Sequence, residues 1–370
     1  MATIVRLATK ADLSAIERAM QSVGLHVQKR DLERYYFDVT EQFDANVVCG
    51  GFVIWDDFDG CVGFQGLTPV RLTLAGESFV GYQMGVTGVL PKYGAYLMDL
   101  MVAVSGAAKG KFLYANTANA KSVKIGKVLL GMNPGPVANS RIQYAILSWA
   151  GFFVAALQSK TRRIPSLAKI ARALLLPLVV VDRILGKMAF LSLGKCAIES
   201  DFSKEDFDVF CERFQRTNRG LCTQRTSVRL RRCFSDALRT GECVLLVRRD
   251  ETSSVLGYVV LHRRTMANAG VIRYEILDIC SADMSETTIS ELLCDAKRYS
   301  RMASGVLLEY VGAPREGVAH VFTRQLAHNR AAVSNTFEWA TEIPALQEAF
   351  RRNDGWFYGP YDGDRCNSRE

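Results

Sequence analysis

The stretch from residue 79 to residue 132 constrains the fold of this chain more than any other. An apolar run punctuated by glycine ends at Pro91, a short turn follows, and apolar residues then recur at helical spacing over 96–104. A second strand candidate at 111–115 leads into an asparagine-rich turn and another helix pattern. This order predicts a mixed α/β layer. The first strand-to-helix turn suits an anionic ligand, because a helix start offers free N–H groups and the positive end of its dipole.

The second half of the chain repeats the first. Val62-Gly63-Phe64 corresponds to Leu256-Gly257-Tyr258, and Phe112-Leu113-Tyr114 corresponds to Val306-Leu307-Leu308, with one offset of 194 residues (256 minus 62 and 306 minus 112). A chain of 370 residues is long enough for two ordinary domains. We therefore predict an α/β (α+β) protein with two mixed-sheet domains in tandem, at 1–150 and 199–370, joined by a basic, apolar helical connector at 151–198.

The two copies differ at the strand-to-helix turn. The second copy reads Ser-Ala-Asp-Met-Ser at 281–285, with no glycine to let the backbone approach a phosphate. We therefore expect the first copy to bind the ligand. The second copy either shapes the site of a second substrate or stabilises the first copy.

Net charge and cysteine content indicate which ligands and which cellular compartment to expect. The net charge of +8 fits an anionic ligand such as a nucleotide or coenzyme A, or an acidic membrane surface, and does not by itself indicate nucleic acid. The ten cysteines are scattered without a Cys-x-x-Cys pair, so we expect no metal site. No secretion signal is visible at the N-terminus, and reduced thiols in a cytoplasmic protein are the expectation.

The segment 159–195 is both basic and apolar, and its interpretation stays open. Its apolar core at 174–181 is far shorter than the roughly 20 residues that span a bilayer. One interpretation is a connector that packs over both domains and covers a ligand cleft. The alternative is a peripheral segment that lies on an anionic membrane.

The stretch from Val86 to Gly131 resembles the cofactor-binding core of the GNAT-type acyltransferases. The matching residues are Val89-Leu90-Pro91-Lys92-Tyr93, then Asn119-Ala120-Lys121-Ser122, then Gly131-Met132. The resemblance implies acyl-CoA, acetyl-CoA or longer, as the cofactor. It places Thr87 and Val89 against the pantetheine arm, the turn residues Tyr93, Gly94 and Ala95 at the pyrophosphate, and Asn119 and Ser122 beside the arm.

The sequence departs from the family pattern at two places. The family has Arg-Gly-x-Gly after the position of Tyr93, where this chain has Gly94-Ala95-Tyr96-Leu97. The tyrosine acid that is frequent in the last helix of the family is absent, and Gly126 and Lys127 occupy that neighbourhood.

Acyl transfer to an amine needs an oxyanion donor, a neutral amine and a leaving thiolate that gains a proton. Glu77 and Tyr82 are the candidate bases, and Ser122 is the candidate proton donor near the sulfur. The alternatives are a solvated hairpin residue for Glu77 and a core residue for Tyr82. A mechanism that depends on positioning alone is a further alternative.

The resemblance leads to the hypothesis of an acyl-CoA-dependent N-acyltransferase whose acceptor is a small-molecule amine, such as a nucleotide-linked amino sugar. An arginine-rich run over 213–239 suits phosphates, although a solvated helix face is the alternative. Two competing hypotheses remain: an inactive GNAT-like scaffold that binds a partner or a membrane, and an acyltransferase for amino acids, peptides or lipids.

Overall fold

The computed structural model describes residues 2–38, 43–44, 46–118, 120–135, 141–160, 177, 180–182, 184, 194–202, 204–266, 271–312, 314, 316–331 and 336–352. In these ranges the α-helices are α1 (Leu13–Ser22), α2 (Lys29–Leu32), α3 (Leu97–Ala108), α4 (Ala120–Leu130), α5 (Trp149–Lys160), α6 (Lys204–Thr217), α7 (Ser227–Arg239), α8 (Glu286–Met302), α9 (Glu316–Gln325) and α10 (Pro344–Arg351). A π-helical turn at Glu33–Phe37 follows α2, and 3-10 turns at Lys10–Asp12 and Pro91–Tyr96 precede α1 and α3.

The first sheet is built mainly from the first half of the chain. Its strands are β1 (Thr3–Leu7), β2 (Gly50–Asp56), β3 (Gly60–Leu74), β4 (Glu77–Val89), β5 (Phe112–Ala118), β6 (Asn133–Pro134), β9 (Cys222–Thr223) and β15 (Thr336–Thr341). They are ordered β1-β2-β3-β4-β5-β15-β6, and β9 pairs with β3. The β4–β5 pair is parallel, and the other pairs are antiparallel.

The second sheet has the same design. Its strands are β7 (Arg141–Ile146), β8 (Cys196–Glu199), β10 (Cys243–Arg249), β11 (Val255–Met266), β12 (Val271–Ser281), β13 (Gly305–Val311) and β14 (His328–Ala331). They are ordered β14-β7-β13-β12-β11-β10-β8, and β12–β13 is the parallel pair. The mixed α/β class and the two-sheet architecture predicted from the sequence are confirmed.

The two halves exchange strands, and the short β9 of the second half also pairs within the first sheet. β7 comes from the first half but pairs with β13 of the second sheet, while β15 comes from the second half and pairs with β5 of the first sheet. The predicted boundary at residue 150 therefore needs correction, because the backbone of β7 is hydrogen-bonded within the second sheet. The sequence analysis assigned neither strand, and local hydrophobic patterning carries no information on which sheet a strand joins.

The helices of the first half cover both faces of the first sheet. On one face α3 and α4 bury Leu100, Met101 and Ile125 against Leu113 of β5. On the other face α1 buries its amphipathic stripe, Leu13, Ile16, Ala19 and Met20. The α3–α4 side is the side on which the strand-to-helix turn lies.

Backbone-directed contacts also join the two halves. Arg34 of the π-helical turn donates to the backbone oxygens of Arg232 and Cys233 in α7. Arg232 donates in return to the backbone oxygens of Arg34 and Tyr35, at 2.7 and 3.0 Å. These bonds hold α7 against the turn that contains Tyr36.

Local turn chemistry explains the long β3–β4 hairpin. Ala75 and Gly76 both have positive φ, 54° and 94°, as a two-residue type I′ connection requires. Ala75-Gly76 therefore joins β3 and β4 in a tight hairpin, with Leu74 paired to Glu77. Among the described residues, no helix is long and apolar enough to cross a membrane.

A buried ion pair anchors the core of the second half. The Arg225 guanidinium lies 2.9 Å from Asp278 of β12, and the two side chains are 0% and 1% exposed. The Tyr258 hydroxyl donates to the same carboxylate at 2.5 Å. Loss of either charged partner would leave the other buried without its counter-ion.

We expect Asp278→Ala to lower the free energy of unfolding by about 3–5 kcal/mol, because Arg225 would remain buried and uncompensated. Urea denaturation would measure the change. The control is Glu212→Ala, which removes an exposed carboxylate paired with Arg216 and should cost less than about 1 kcal/mol. Equal losses in the two variants would contradict the assignment of Asp278 as the anchor.

Candidate functional site

The parallel pair β4–β5 opens partway along its length. Pairing runs from Gly81–Phe112 to Gln83–Tyr114, and β5 then continues against β15 alone. Residues 81–83 are buried, whereas 84–90 are half-buried. A gap therefore opens between the two strands on the side that leads to the turn before α3.

The turn at the open end of β4 is attached to the β2–β3 hairpin by two side-chain hydrogen bonds. The Tyr93 hydroxyl donates to Asp59 at 2.6 Å, and Lys92 donates to the same carboxylate at 3.0 Å. These contacts fasten the turn to the β2–β3 hairpin and keep the Tyr93 ring buried in the core. The hydrogen bond with Tyr93 is the main cause that lowers the pKa of Asp59.

The outer side of this turn is open. A Cβ atom at Gly94 would meet no other atom within 4 Å, and Gly94 and Ala95 are exposed. No side chain caps the start of the 3-10 turn or of α3. A helix start of this kind can receive an anion through its backbone N–H groups.

The corresponding turn of the second copy is closed by its own side chains. Asp283 accepts a hydrogen bond from the Ser285 N–H at 3.0 Å, and Ser285 caps α8 by accepting from Thr288 N–H. The strand that precedes it is buried from Tyr274 through Ser281. This contrast favours the first copy as the anion site, which stays a prediction.

A β-bulge shapes β4 next to the gap. Gly85 and Val86 together oppose Gly66 of β3, and Tyr36 lies on the bulge. The Val86 N–H donates to the Tyr36 hydroxyl at 2.7 Å. A Cβ atom at Gly85 would come within 2.0 Å of that hydroxyl, so glycine is needed for this close approach.

Several predicted cofactor residues surround the gap. Thr87 and Val89 lie on the open part of β4, and Gly94 and Ala95 lie on the uncapped turn. The Thr87 hydroxyl donates to the buried Gln65 at 2.5 Å, which leaves its backbone as the group that faces a ligand. Their cofactor roles stay predictions.

The α4 end of the gap is only partly described. Ser122 is half-buried in the first turn of α4, close to the end of β5. Its role as a proton donor stays a prediction. Asn119 lies outside the described residues, as does most of the segment 159–195 on which membrane contact was predicted.

Two predicted catalytic residues do not lie on the open part of β4. Glu77 is exposed at the tip of the β3–β4 hairpin, seven residues before Met84 and therefore ~23 Å along the strand from the start of the gap. Tyr82 is fully buried, and its hydroxyl accepts from the Val48 N–H at 3.0 Å, while burial raises the pKa of the phenol. These positions favour the two alternatives, a solvated hairpin residue for Glu77 and a core residue for Tyr82. The Tyr93 hydroxyl is engaged by Asp59, and the place of this residue in a phosphate-binding turn stays a prediction.

The structure adds a residue that the sequence analysis missed. Glu338 lies on the exchanged strand β15, is 2% exposed, and pairs with Ala115, the first β5 residue past the β4 pairing. Its Oε2 would lie 3.1 Å from a Cβ atom at Gly126 of α4. Burial raises the pKa of its carboxyl from 4.5 to about 7.

The local sequence around Glu338 reads Thr-Phe-Glu-Trp-Ala-Thr, with Glu338 as a single acid in an alternating strand. Such an acid usually lies on the solvent face of a strand. The exchange of β15 into the first sheet places it beneath α4 instead. A buried acid at this position could be found only from the pairing of strands more than 200 residues apart.

The arginine run over 213–239 is largely taken by internal contacts. Arg225 is buried on Asp278, Arg232 bonds the π-helical turn, and Arg219 donates to Ala75 O. Arg216 and Arg239 pair with acids of their own helices. The run therefore serves the fold, which weakens the predicted contact with a phosphate-bearing acceptor.

Asp56 stabilises the turn between β2 and β3 through hydrogen bonds. Asp56 accepts from the N–H groups of Phe58 and Asp59, each at 3.0 Å, and Thr3 donates to its other oxygen. These bonds lower the pKa of Asp56 to about 2.

Within the described ranges, no group of three or more His, Cys, Asp or Glu side chains could hold a metal ion.

No known family profile and no curated protein matches this sequence. Solved structures do match its fold. The chain superposes on Saccharomyces cerevisiae N-myristoyltransferase with bound myristoyl-CoA at a TM-score of 0.56 and 11% identity, covering 96% of this chain and 84% of that one.

Two bacterial proteins show the same likeness. A GCN5-related N-acetyltransferase from Anabaena variabilis matches at a TM-score of 0.54 and 9% identity, over 91% of this chain and 72% of its own. One from Kribbella flavida matches at 0.54 and 13% identity, over 93% and 73%. The chain therefore has the GNAT-type fold along nearly its whole length.

We expect Glu338→Gln to change how stability depends on pH. The raised pKa means that the folded state holds the Glu338 proton more tightly than the unfolded state. Wild-type stability relative to the variant should thus be greatest below pH 4.5 and fall as the pH rises through 7, by on the order of 3 kcal/mol. Urea denaturation at several pH values would measure this.

The control for this experiment is Glu342→Gln, which changes an exposed glutamate just after β15. It should reproduce the pH dependence of the wild type. Parallel stability curves for the wild type and Glu338→Gln would show that Glu338 titrates normally.

Proposed function

We propose that the protein is an acyl-CoA-dependent N-acyltransferase that moves an acyl group from the coenzyme A thioester to an amine. The observation that carries the proposal is the gap between β4 and β5, which opens beyond Gln83 and ends at an uncapped helix start. A narrow thiol-bearing arm fits between two diverging strands, and a pyrophosphate fits the N–H groups of the turn. The solved structures that share this fold include an enzyme with bound myristoyl-CoA.

The proposed binding mode uses backbone more than side chains. The arm would pair with β4 around Thr87 and Val89, and the pyrophosphate would lie at Gly94 and Ala95. The arginine that the family pattern contains is absent, so the phosphates would be held by N–H groups and the helix dipole. Ser122 would lie beside the arm, together with Asn119.

The acceptor is proposed only as an amine. A nucleotide-linked amino sugar remains the first hypothesis, although the arginine run that favoured it is engaged internally. An amino acid, a peptide and a lipid amine are the other candidates. Once the acyl carbonyl is held near the bulge, attack by a neutral amine nitrogen displaces the thiolate.

We expect Gly94→Leu to weaken the binding of acetyl-CoA and myristoyl-CoA by tenfold or more, because the side chain would fill the open side of the turn. Isothermal titration calorimetry would measure the affinities. The matched control is Gly106→Leu near the other end of α3, where a Cβ atom also meets nothing within 4 Å. Its affinities should stay within twofold of the wild type.

Turnover would be tested with each thioester and three amines: a uridine diphosphate-linked amino sugar, a glycine-initiated peptide and ethanolamine. Release of free thiol and the mass of the product identify the acceptor. If neither thioester binds the wild type, or if Gly94→Leu binds as tightly as Gly106→Leu, the cofactor proposal is wrong. Tight binding without transfer to any amine would favour the inactive scaffold.

A further inference from the structure

Glu338 differs from the other deeply buried carboxylates of the protein. Those others have strong partners: Asp278 has Arg225, Glu275 has Arg264, Glu309 has Arg273 and Arg330, and Asp295 accepts the N–H groups of Gly194, Lys195 and Cys196. Among the described residues, no such donor bonds to Glu338. A buried carboxyl without a partner costs stability, so its presence needs an explanation beyond packing.

The position of Glu338 relates it to the gap. It pairs with Ala115 of β5, and Tyr114 just before is the last residue that pairs with β4. Two strand spacings, roughly 10 Å, separate β15 from β4 at the last level where β4 and β5 pair, with β5 between them. A thioester between β4 and β5 would therefore lie one strand away from Glu338, across the small Ala115 of β5.

The neighbours of Glu338 leave room for its side chain on the α4 side of the sheet. Ala115 beside it is small, and Gly126 above it has no side chain at all. Met132 also lies next to Gly126: a Cβ atom built on Gly126 would be 2.9 Å from the Met132 sulfur. The carboxyl therefore lies in a slot with one apolar wall, formed by two small residues and a methionine.

Among the side chains that the structure describes, no charge offsets the burial of this carboxyl. The charged side chains of α4 that the structure describes, Lys124 and Lys127, are both exposed. The partner residues of β5 and β6, Ala115 and Pro134, are uncharged. Burial alone raises the pKa of Glu338, to about 7, so both protonation states are available near neutral pH.

We propose that Glu338, carried into the first sheet by the exchanged strand β15, is the acid–base residue of the thioester site. This inference rests on the proposed acyl transfer. The second half of the chain would thus supply a catalytic group to the cofactor site of the first half.

The proposed step conserves atoms and electrons. The lone pair of the amine nitrogen forms a bond to the thioester carbonyl carbon, and the carbon–sulfur bond breaks with its electron pair on sulfur. The Glu338 carboxylate takes the proton that nitrogen loses. The protonated Glu338 then returns that proton to the thiolate, which leaves as the neutral thiol of coenzyme A.

The test measures proton uptake when the cofactor binds, so it does not depend on the acceptor. Calorimetric titrations of acetyl-CoA and of myristoyl-CoA at pH 7.5, in phosphate and in Tris, give the number of protons taken up. A bound thioester that excludes water from the slot raises the pKa of Glu338 further. For a rise of about one unit the wild type should take up about half a proton through this group.

Glu338→Gln and Glu338→Met should bind the thioesters within about threefold of the wild type but lack this uptake, whereas Glu342→Gln should keep it. If both Glu338 variants bind and take up as many protons as the wild type, Glu338 does not face the cofactor and the inference is wrong. If the wild type binds neither thioester, the proposed function fails and this inference fails with it.

With any amine that gives product, kcat of Glu338→Gln should fall about 100-fold or more. A kcat within threefold of the wild type would also overturn the role.

Discussion

The architecture depends on the hydrogen bonds that β15 makes to β5. A strand that leaves its neighbour must satisfy its backbone groups elsewhere, since buried N–H and C=O groups are rarely left unpaired. β5 pairs with β4 over only three residues, up to Tyr114, but it pairs with β15 from Thr341 to Thr336. The gap beside β4 can exist because the other edge of β5 is held by a strand from the far half of the chain.

The two copies share one scaffold but differ in the burial of the strand end and in the capping of the turn that follows it. In the first copy the strand end from Met84 onward is half-buried, and the following turn is uncapped. In the second copy the strand is buried, Ser285 caps the helix, and Asp278 is paired with Arg225. Burial, a capping side chain and an ion pair thus occupy, in the second copy, the positions that are open in the first.

The sequence predicted what is local and missed what is distant. The end of the first strand just before Pro91 and the offset between the copies follow from turn chemistry and periodicity, and both agree with the structure. Residue type alone could not show that Glu77 lies at the hairpin end of β4, away from the gap. Glu338 was missed because its environment is created by strand pairing across the whole chain, which no local pattern encodes.

The exchange also determines what each half can do alone. Without β15 the outer edge of β5 would be exposed, and the strand that must diverge from β4 would lose the bonds that allow it to diverge. Without β7 the same argument applies to β13 in the second sheet. Each half therefore completes the sheet of the other. A carboxyl on β15 consequently reaches its place beneath α4 only when both halves have folded together, which ties formation of the candidate site to the integrity of the whole chain.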